Sequence, residues 1–152
     1  MPGSFLKRKN AFMIVNLPDD TLVYTPGRLG LIPSERLSQP DFAVYLDERW
    51  NDDAEVTWPH RMIAWSDFGV PENESELFDV ILDIHDRARL GEIVEIACHG
   101  GLGRTGTVLA CLAVCAGVPF RDAVEWVRIN YDQRAVETEE QRQLVEAFAN
   151  SL

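Results

Sequence analysis

Apolar positions along the chain follow two regimes. Up to about residue 65 they come in short runs of strand length, broken by Pro, Gly and Asp; from residue 73 they recur mostly at helical spacing. Ala11–Val15 reads as a buried strand that ends at Pro18-Asp19-Asp20, and Leu22–Tyr24 as a short second one before the turn Pro26-Gly27-Arg28. Pro33–Leu37 predicts a short helix start, with Pro33 near its first turn. Asp41–Leu46 is a third strand, Asp47 to Glu55 an acidic loop or hairpin tip, and Arg61–Trp65 a fourth strand. Asn73 and Glu76 have capping-box spacing, Leu77, Ile81 and Ile84 follow at helical steps, and Gly91 is a stop signal. One strand-type run, Ile93–Ala97, interrupts the helical part. After it come a helix from about Arg104 to Ala116, apolar nearly all round and therefore buried, a second from Phe120 to about Tyr131, and a last from Glu139 to about Ala149. Strands early and helices late predict an α/β sandwich: a central, mostly parallel sheet of four to five strands flanked by helices.

The run at Ile93–Ala97 matters most because of the loop on its C-terminal side. Cys98-His99-Gly100-Gly101-Leu102-Gly103-Arg104-Thr105 places a glycine-rich turn between that strand and the apolar helix. Strand, tight loop and helix N-terminus in that order converge backbone N–H groups on one point, where the helix dipole adds positive potential. Glycine at 100, 101 and 103 permits the backbone angles that such convergence needs. Arg104 brings a planar fork of donors suited to two phosphoryl oxygens, and a helix N-terminus is an unfavourable place for its charge unless an anion binds there. A thiol at the mouth of such a site is expected to ionise readily, which makes Cys98 a nucleophile aimed at phosphorus.

Cys98, five intervening residues, Arg104 and Thr105 resemble the signature loop of the cysteine-dependent protein tyrosine and dual-specificity phosphatases. Upstream, Trp65-Ser66-Asp67-Phe68-Gly69-Val70-Pro71 resembles that family's mobile acid loop. Downstream, Ala135-Val136-Glu137-Thr138-Glu139-Glu140-Gln141 resembles the segment that positions water late in the cycle. The three motifs stand in family order over about half the chain, and the Gly-Gly-Leu-Gly-Arg wording most resembles the kinase-associated and cell-cycle dual-specificity branch. The resemblance implies a strand–phosphate loop–helix site in a single catalytic domain over 1–152, residues 1–10 forming a flexible basic tail. Cys98, Arg104, Asp67 and Thr105 would be catalytic: Cys98 the nucleophile, Arg104 the phosphate ligand, Asp67 the general acid, and Thr105 a hydrogen-bond donor to the sulfur. His99, Gly100, Gly101, Leu102, Gly103 and Arg104 would cradle the phosphate, with Gln141 and Glu137 as water-positioning candidates. Hydrolysis would proceed through a cysteinyl-phosphate with no metal or organic cofactor.

Composition narrows the setting. A net charge of −11 disfavours nonspecific binding to nucleic acid or anionic membrane. The three cysteines, at 98, 111 and 115, give no secretory disulfide framework, and Cys111 and Cys115 fit the core of an apolar helix. The longest apolar stretch, Val108 to Val118, is too short to span a bilayer, and no signal-peptide core follows the N-terminus. A monomer in the cytoplasm is the expected state. Its partner would be a phosphorylated protein or another phosphomonoester, RNA ends being the one nucleic-acid substrate left open.

Several positions depart from the family pattern. Ser66 stands at the usual proline of the acid loop, and Glu137 where the tyrosine-specific branch carries a glutamine. The histidine that usually precedes the cysteine is replaced by Ala97; His99 or the strand neighbour Glu95 could take over its part. Thr138 to Gln141 also has capping-box spacing, which gives Gln141 a structural reading beside the catalytic one. His60 and His85 read as ordinary surface or helix residues, and Glu72 and Glu74 are the reserve candidates for the acid. The leading function is a protein phosphatase acting on phosphotyrosine, with phosphoserine and phosphothreonine open. Alternatives are a small-molecule, phosphoinositide or RNA 5′-phosphatase with the same chemistry, or a catalytically silent phosphoprotein-binding module.

Overall fold

The structure, a computed structural model, describes residues 12–26, 38–47, 56–98 and 102–152. Five short strands and four helices account for most of these residues: β1 (Met13–Asn16), β2 (Leu22–Thr25), β3 (Phe42–Leu46), β4 (His60–Ile63), α1 (Glu74–Arg89), β5 (Val94–Ala97), α2 (Gly103–Cys115), α3 (Phe120–Asn130) and α4 (Glu139–Ser151). The sheet order is β1-β2-β5-β3-β4. Only β1 and β2 run antiparallel; the other three pairings are parallel. The mostly parallel α/β sandwich expected from the hydrophobic pattern is therefore the observed fold. The segments Pro33–Leu37 and 48–55 lie outside the described residues.

Alternation along the strands separates the two faces of the sheet. Val15, Val23, Val44, Leu46, Ile63, Val94 and Ile96 join the helices in one large core, to which α1 contributes Leu77, Ile81 and Ile84 and α4 contributes Leu144, Val145 and Phe148. Ala43, Tyr45, Trp58 and Ala97 form a smaller cluster apart from it. α2 is buried from Gly103 through Ala113, as a helix apolar on every side must be. Two helices start on the caps that the sequence spacing predicts: Asn73 accepts from the Glu76 N–H at 3.0 Å, and Thr138 from the Gln141 N–H at 3.1 Å. His85 belongs to α1, but it is buried rather than at the surface; its Nε2 lies 2.8 Å from Asp19 Oδ2 and ties the β1–β2 turn to that helix.

Candidate active site

The neighbouring parallel strands β5, β3 and β4 deliver the site from their carboxyl ends, the edge where open α/β sheets place their ligands. Cys98 follows β5, Asp47 follows β3, and the loop from Trp65 to Pro71 follows β4. Cys98 is 3% exposed, and its sulfur accepts a hydrogen bond from the Thr105 hydroxyl at 3.0 Å. Behind it stands Tyr131, whose hydroxyl is pushed well above the usual range by burial and by the charges of Cys98 and Asp132, against a hydrogen bond with Thr25.

Arg104 leaves the first turn of α2 and is 2% exposed. Its Nη1 donates to the Trp65 carbonyl at 2.9 Å and lies 3.2 Å from Asp47 Oδ2; its Nη2 lies 3.7 Å from Asp67 Oδ1. Its Nε–H is buried with no acceptor among the described residues. An unpaired buried donor on a cation is costly, and an oxyanion in the site would remove that cost. Asp47, the first residue of the stretch read as an acidic loop, follows β3 as a loop residue and is buried against Arg104.

The acid-loop segment closes on itself. Trp65 bridges Pro71, and the Glu72 N–H donates to the Ala64 carbonyl at 3.2 Å. Thus β4 ends at Ile63 and Trp65 already belongs to the loop's neck. A tight turn, Gly69 N–H to Ser66 carbonyl at 3.0 Å, carries Asp67 and Phe68 at its tip, with Phe68 at φ 61°. The Asp67 side chain is 54% exposed beside Arg104, open to a leaving group. Glu72 is exposed and Glu74 opens α1, on the far side of the loop's neck.

Glu137 completes the wall. A side chain at Gly103 would run into the Glu137 carboxylate, so glycine there lets that carboxylate lie against the first turn of α2. Burial raises the Glu137 carboxyl above its ordinary value and the charge of Asp67 adds to the rise, while Arg104 and Arg134 pull it down. Gln141 is fully buried, and its amide is committed at both ends: Oε1 accepts from the Glu137 N–H at 2.8 Å, and Nε2 donates to the Gly69 carbonyl at 3.1 Å. That carbonyl also accepts from Trp65 Nε1 at 2.7 Å. Gln141 is thus a strut between the acid loop and α4.

Of the residues singled out from sequence, Cys98, Arg104, Thr105, Asp67, Gly103 and Glu137 come together in space, with Leu102 at the start of α2. His99, Gly100 and Gly101 lie outside the described residues. Ala97 packs with Tyr45 and Trp58, whose indole Nε1 donates to the Tyr45 hydroxyl at 3.0 Å, and Glu95 is buried one pleat back, opposite Tyr24 and Ala43. Cys111 is core, and burial pushes its thiol well up, whereas half-buried Cys115 is pushed up to about 11. No cluster of metal-ligand type occurs among the described residues, and none of their helices is long and apolar enough to cross a membrane.

The model of the family Protein-tyrosine phosphatase matches residues 35–146. The chain belongs to this family. It is a cysteine-dependent phosphatase of the protein-tyrosine-phosphatase kind. The uncharacterized protein MJECL20 of Methanocaldococcus jannaschii is 40% identical over 109 residues, 67% of this chain and 71% of the relative. The tyrosine-protein phosphatase non-receptor type 4 of Homo sapiens is 35% identical over 80 residues, 49% of this chain and only 8% of that much longer protein. Among solved structures, Tk-PTP in its active form superposes with a TM-score of 0.69 at 25% identity, covering 91% of this chain and 97% of that one. The kinase associated phosphatase shares the fold, with a TM-score of 0.70 at 14% identity over 93% of this chain and 96% of that chain.

Proposed function

We propose that this phosphatase hydrolyses phosphotyrosine in proteins, with phosphoserine and phosphothreonine as further substrates, in two displacements at phosphorus. The Cys98 thiolate attacks, a sulfur–phosphorus bond forms, and the bond to the leaving oxygen breaks as Asp67 gives that oxygen its proton. Arg104 and the N–H groups at the start of α2 hold the phosphoryl oxygens, and Thr105 steadies the sulfur as it leaves. Water then attacks phosphorus, its proton passes to the Asp67 carboxylate, and the sulfur–phosphorus bond breaks to release inorganic phosphate and the thiolate. Glu137, the carboxylate facing the start of α2, is the group assigned to orient that water; the Gln141 amide is engaged instead by the Glu137 N–H and the Gly69 carbonyl.

The observation that carries this reading is the unpartnered buried Nε–H of Arg104 within a site whose sulfur already has a hydroxyl donor at 3.0 Å. The carboxylates of Asp47, Asp67 and Glu137 around that one guanidinium favour a single phosphate on a peptide over a polyanionic phosphoinositide headgroup. Phosphate release from phosphotyrosine, phosphoserine and phosphothreonine peptides, phosphoinositide vesicles and 5′-phosphorylated RNA tests the substrate. The peptides, phosphotyrosine first, should be hydrolysed fastest; faster release from lipid or RNA would move the assignment. Cys98→Ser should abolish turnover yet bind phosphopeptide, and substantial residual hydrolysis in that variant would end the cysteinyl-phosphate mechanism.

A further inference from the structure

The segment that presents Glu137 is held from a distance. Val136 adopts φ 59°, a left-handed conformation that a β-branched residue rarely takes. It stays there because its surroundings fix it. Ala135 packs on Gly106, where an added Cβ would come within 2.5 Å of the alanine methyl. From α3, Arg128 spreads its guanidinium over two successive carbonyls: Nε donates to Ala135 at 2.9 Å and Nη2 to Val136 at 2.8 Å. The Val136 carbonyl and the Glu137 N–H belong to one peptide group. Arg128 fixes the first and Gln141 Oε1 the second, so the plane of that peptide, and with it the departure of the Glu137 side chain, is set from both ends. Gln141 passes the restraint on to the acid loop through the Gly69 carbonyl.

We infer that Arg128 is a positioning residue for the hydrolysis step: its two-carbonyl clamp on the strained 135–136 turn aims the Glu137 carboxylate at the phosphate site. A planar guanidinium holds two adjacent carbonyls in a rigid fork, whereas lysine's rotatable ammonium on a flexible stem fixes them less firmly. The inference rests on the assignment of Glu137 to the water, and its test separates the two. In single-turnover and burst measurements with p-nitrophenyl phosphate, Arg128→Met should leave the burst rate within about twofold of wild type. Breakdown of the cysteinyl-phosphate should slow by about tenfold or more, as misplacement of a reacting group does. Arg128→Lys should fall between wild type and Arg128→Met. In a Glu137→Gln background, Arg128→Met should add little, because the group it aims is already gone.

Equal slowing by Arg128→Met in both backgrounds would overturn the inference, and so would a wild-type breakdown rate in Arg128→Met itself. Hydrogen exchange at the Glu137 amide gives a reading independent of catalysis. Loss of the clamp should speed that exchange by about tenfold or more if the turn opens locally. If Glu137→Gln hydrolyses the intermediate like wild type, the water assignment fails, and unchanged exchange in Arg128→Met would then refute the clamp separately. Should Arg128→Met not fold, Arg128→Lys carries the same comparisons, with wild-type exchange and breakdown as the refuting result.

Discussion

Replacing Asp47 with Asn isolates the electrostatics of the site without changing its shape. Asp47 and Arg104 are both buried, 3.2 Å apart, so the exchange leaves a buried guanidinium short of its nearest counter-charge. Breaking a buried pair from one side costs about 3–5 kcal/mol. The lower end applies here, since Arg104 keeps its bond to the Trp65 carbonyl and has Asp67 at 3.7 Å. For a domain of this size a loss of about 3 kcal/mol corresponds to a fall in Tm of about 6–12 °C. The informative assay is urea or thermal unfolding with and without vanadate, an oxyanion that stands in for phosphate. In Asp47→Asn the bound anion supplies the charge that the carboxylate supplied, so vanadate should stabilise the variant more than wild type and bind it more tightly. A variant within about 0.5 kcal/mol of wild type, well below the cost of breaking a buried pair, would refute the reasoning. Equal stabilisation of both proteins by vanadate would do the same.

Asp67→Asn should lower kcat by about 100-fold or more for tyrosine and serine esters and much less for an activated aryl phosphate; a variant that keeps the wild-type rate and leaving-group dependence would point to another acid, with Glu72 and Glu74 next to be tried. Glu137 has a carboxyl raised above its ordinary value of 4.5 by burial and by Asp67. Folding therefore favours its protonated form, a contribution fully present below the unfolded value and lost as pH rises through the raised one. Glu137→Gln should accordingly be more stable than wild type near neutrality, with the gap closing as pH falls below the usual glutamate range, as urea midpoints across pH would show. Ala97→His should destabilise the protein, because the residue is 2% exposed against Tyr45 and Trp58 and a ring overfills the space; a variant as stable as wild type, read by its urea midpoint, would show that the sheet accommodates it.

Much of this architecture is legible in the chain because it rests on local signals. Apolar runs of strand length, the caps at Asn73 and Thr138, and the all-round apolarity of Val108–Ala113 each depend on a few neighbouring residues. The role of Asp47 has no such signal. It opens an acidic stretch that reads as solvated, and the cation that buries it lies 57 residues further on. Its one clue is positional: like Cys98, it directly follows an apolar run, and in a parallel sheet the residues after such runs meet at one edge. Arg128 is equally silent, one basic residue among several on an amphipathic helix, because its partners are backbone carbonyls whose orientation depends on the left-handed turn at Val136. For Gln141 the spacing permitted both a cap and a catalytic part; the fold uses its backbone N–H for the cap and its amide as a strut.

The parallel order β5-β3-β4 also bears on how the enzyme comes into being. Its pairings join residues far apart in sequence, Val44 with Ile96 and Leu46 with Ile63, and no short hairpin can form them. Chains dominated by such distant pairings close large loops before gaining contacts, so the sheet is expected to form late relative to the helices. Because Asp47, the acid loop and Cys98 each hang from the end of one of these strands, a chain with helices but no completed sheet has no site at all. Regain of phosphatase activity after dilution from denaturant should then lag behind the return of helical circular dichroism and track the slowest refolding phase.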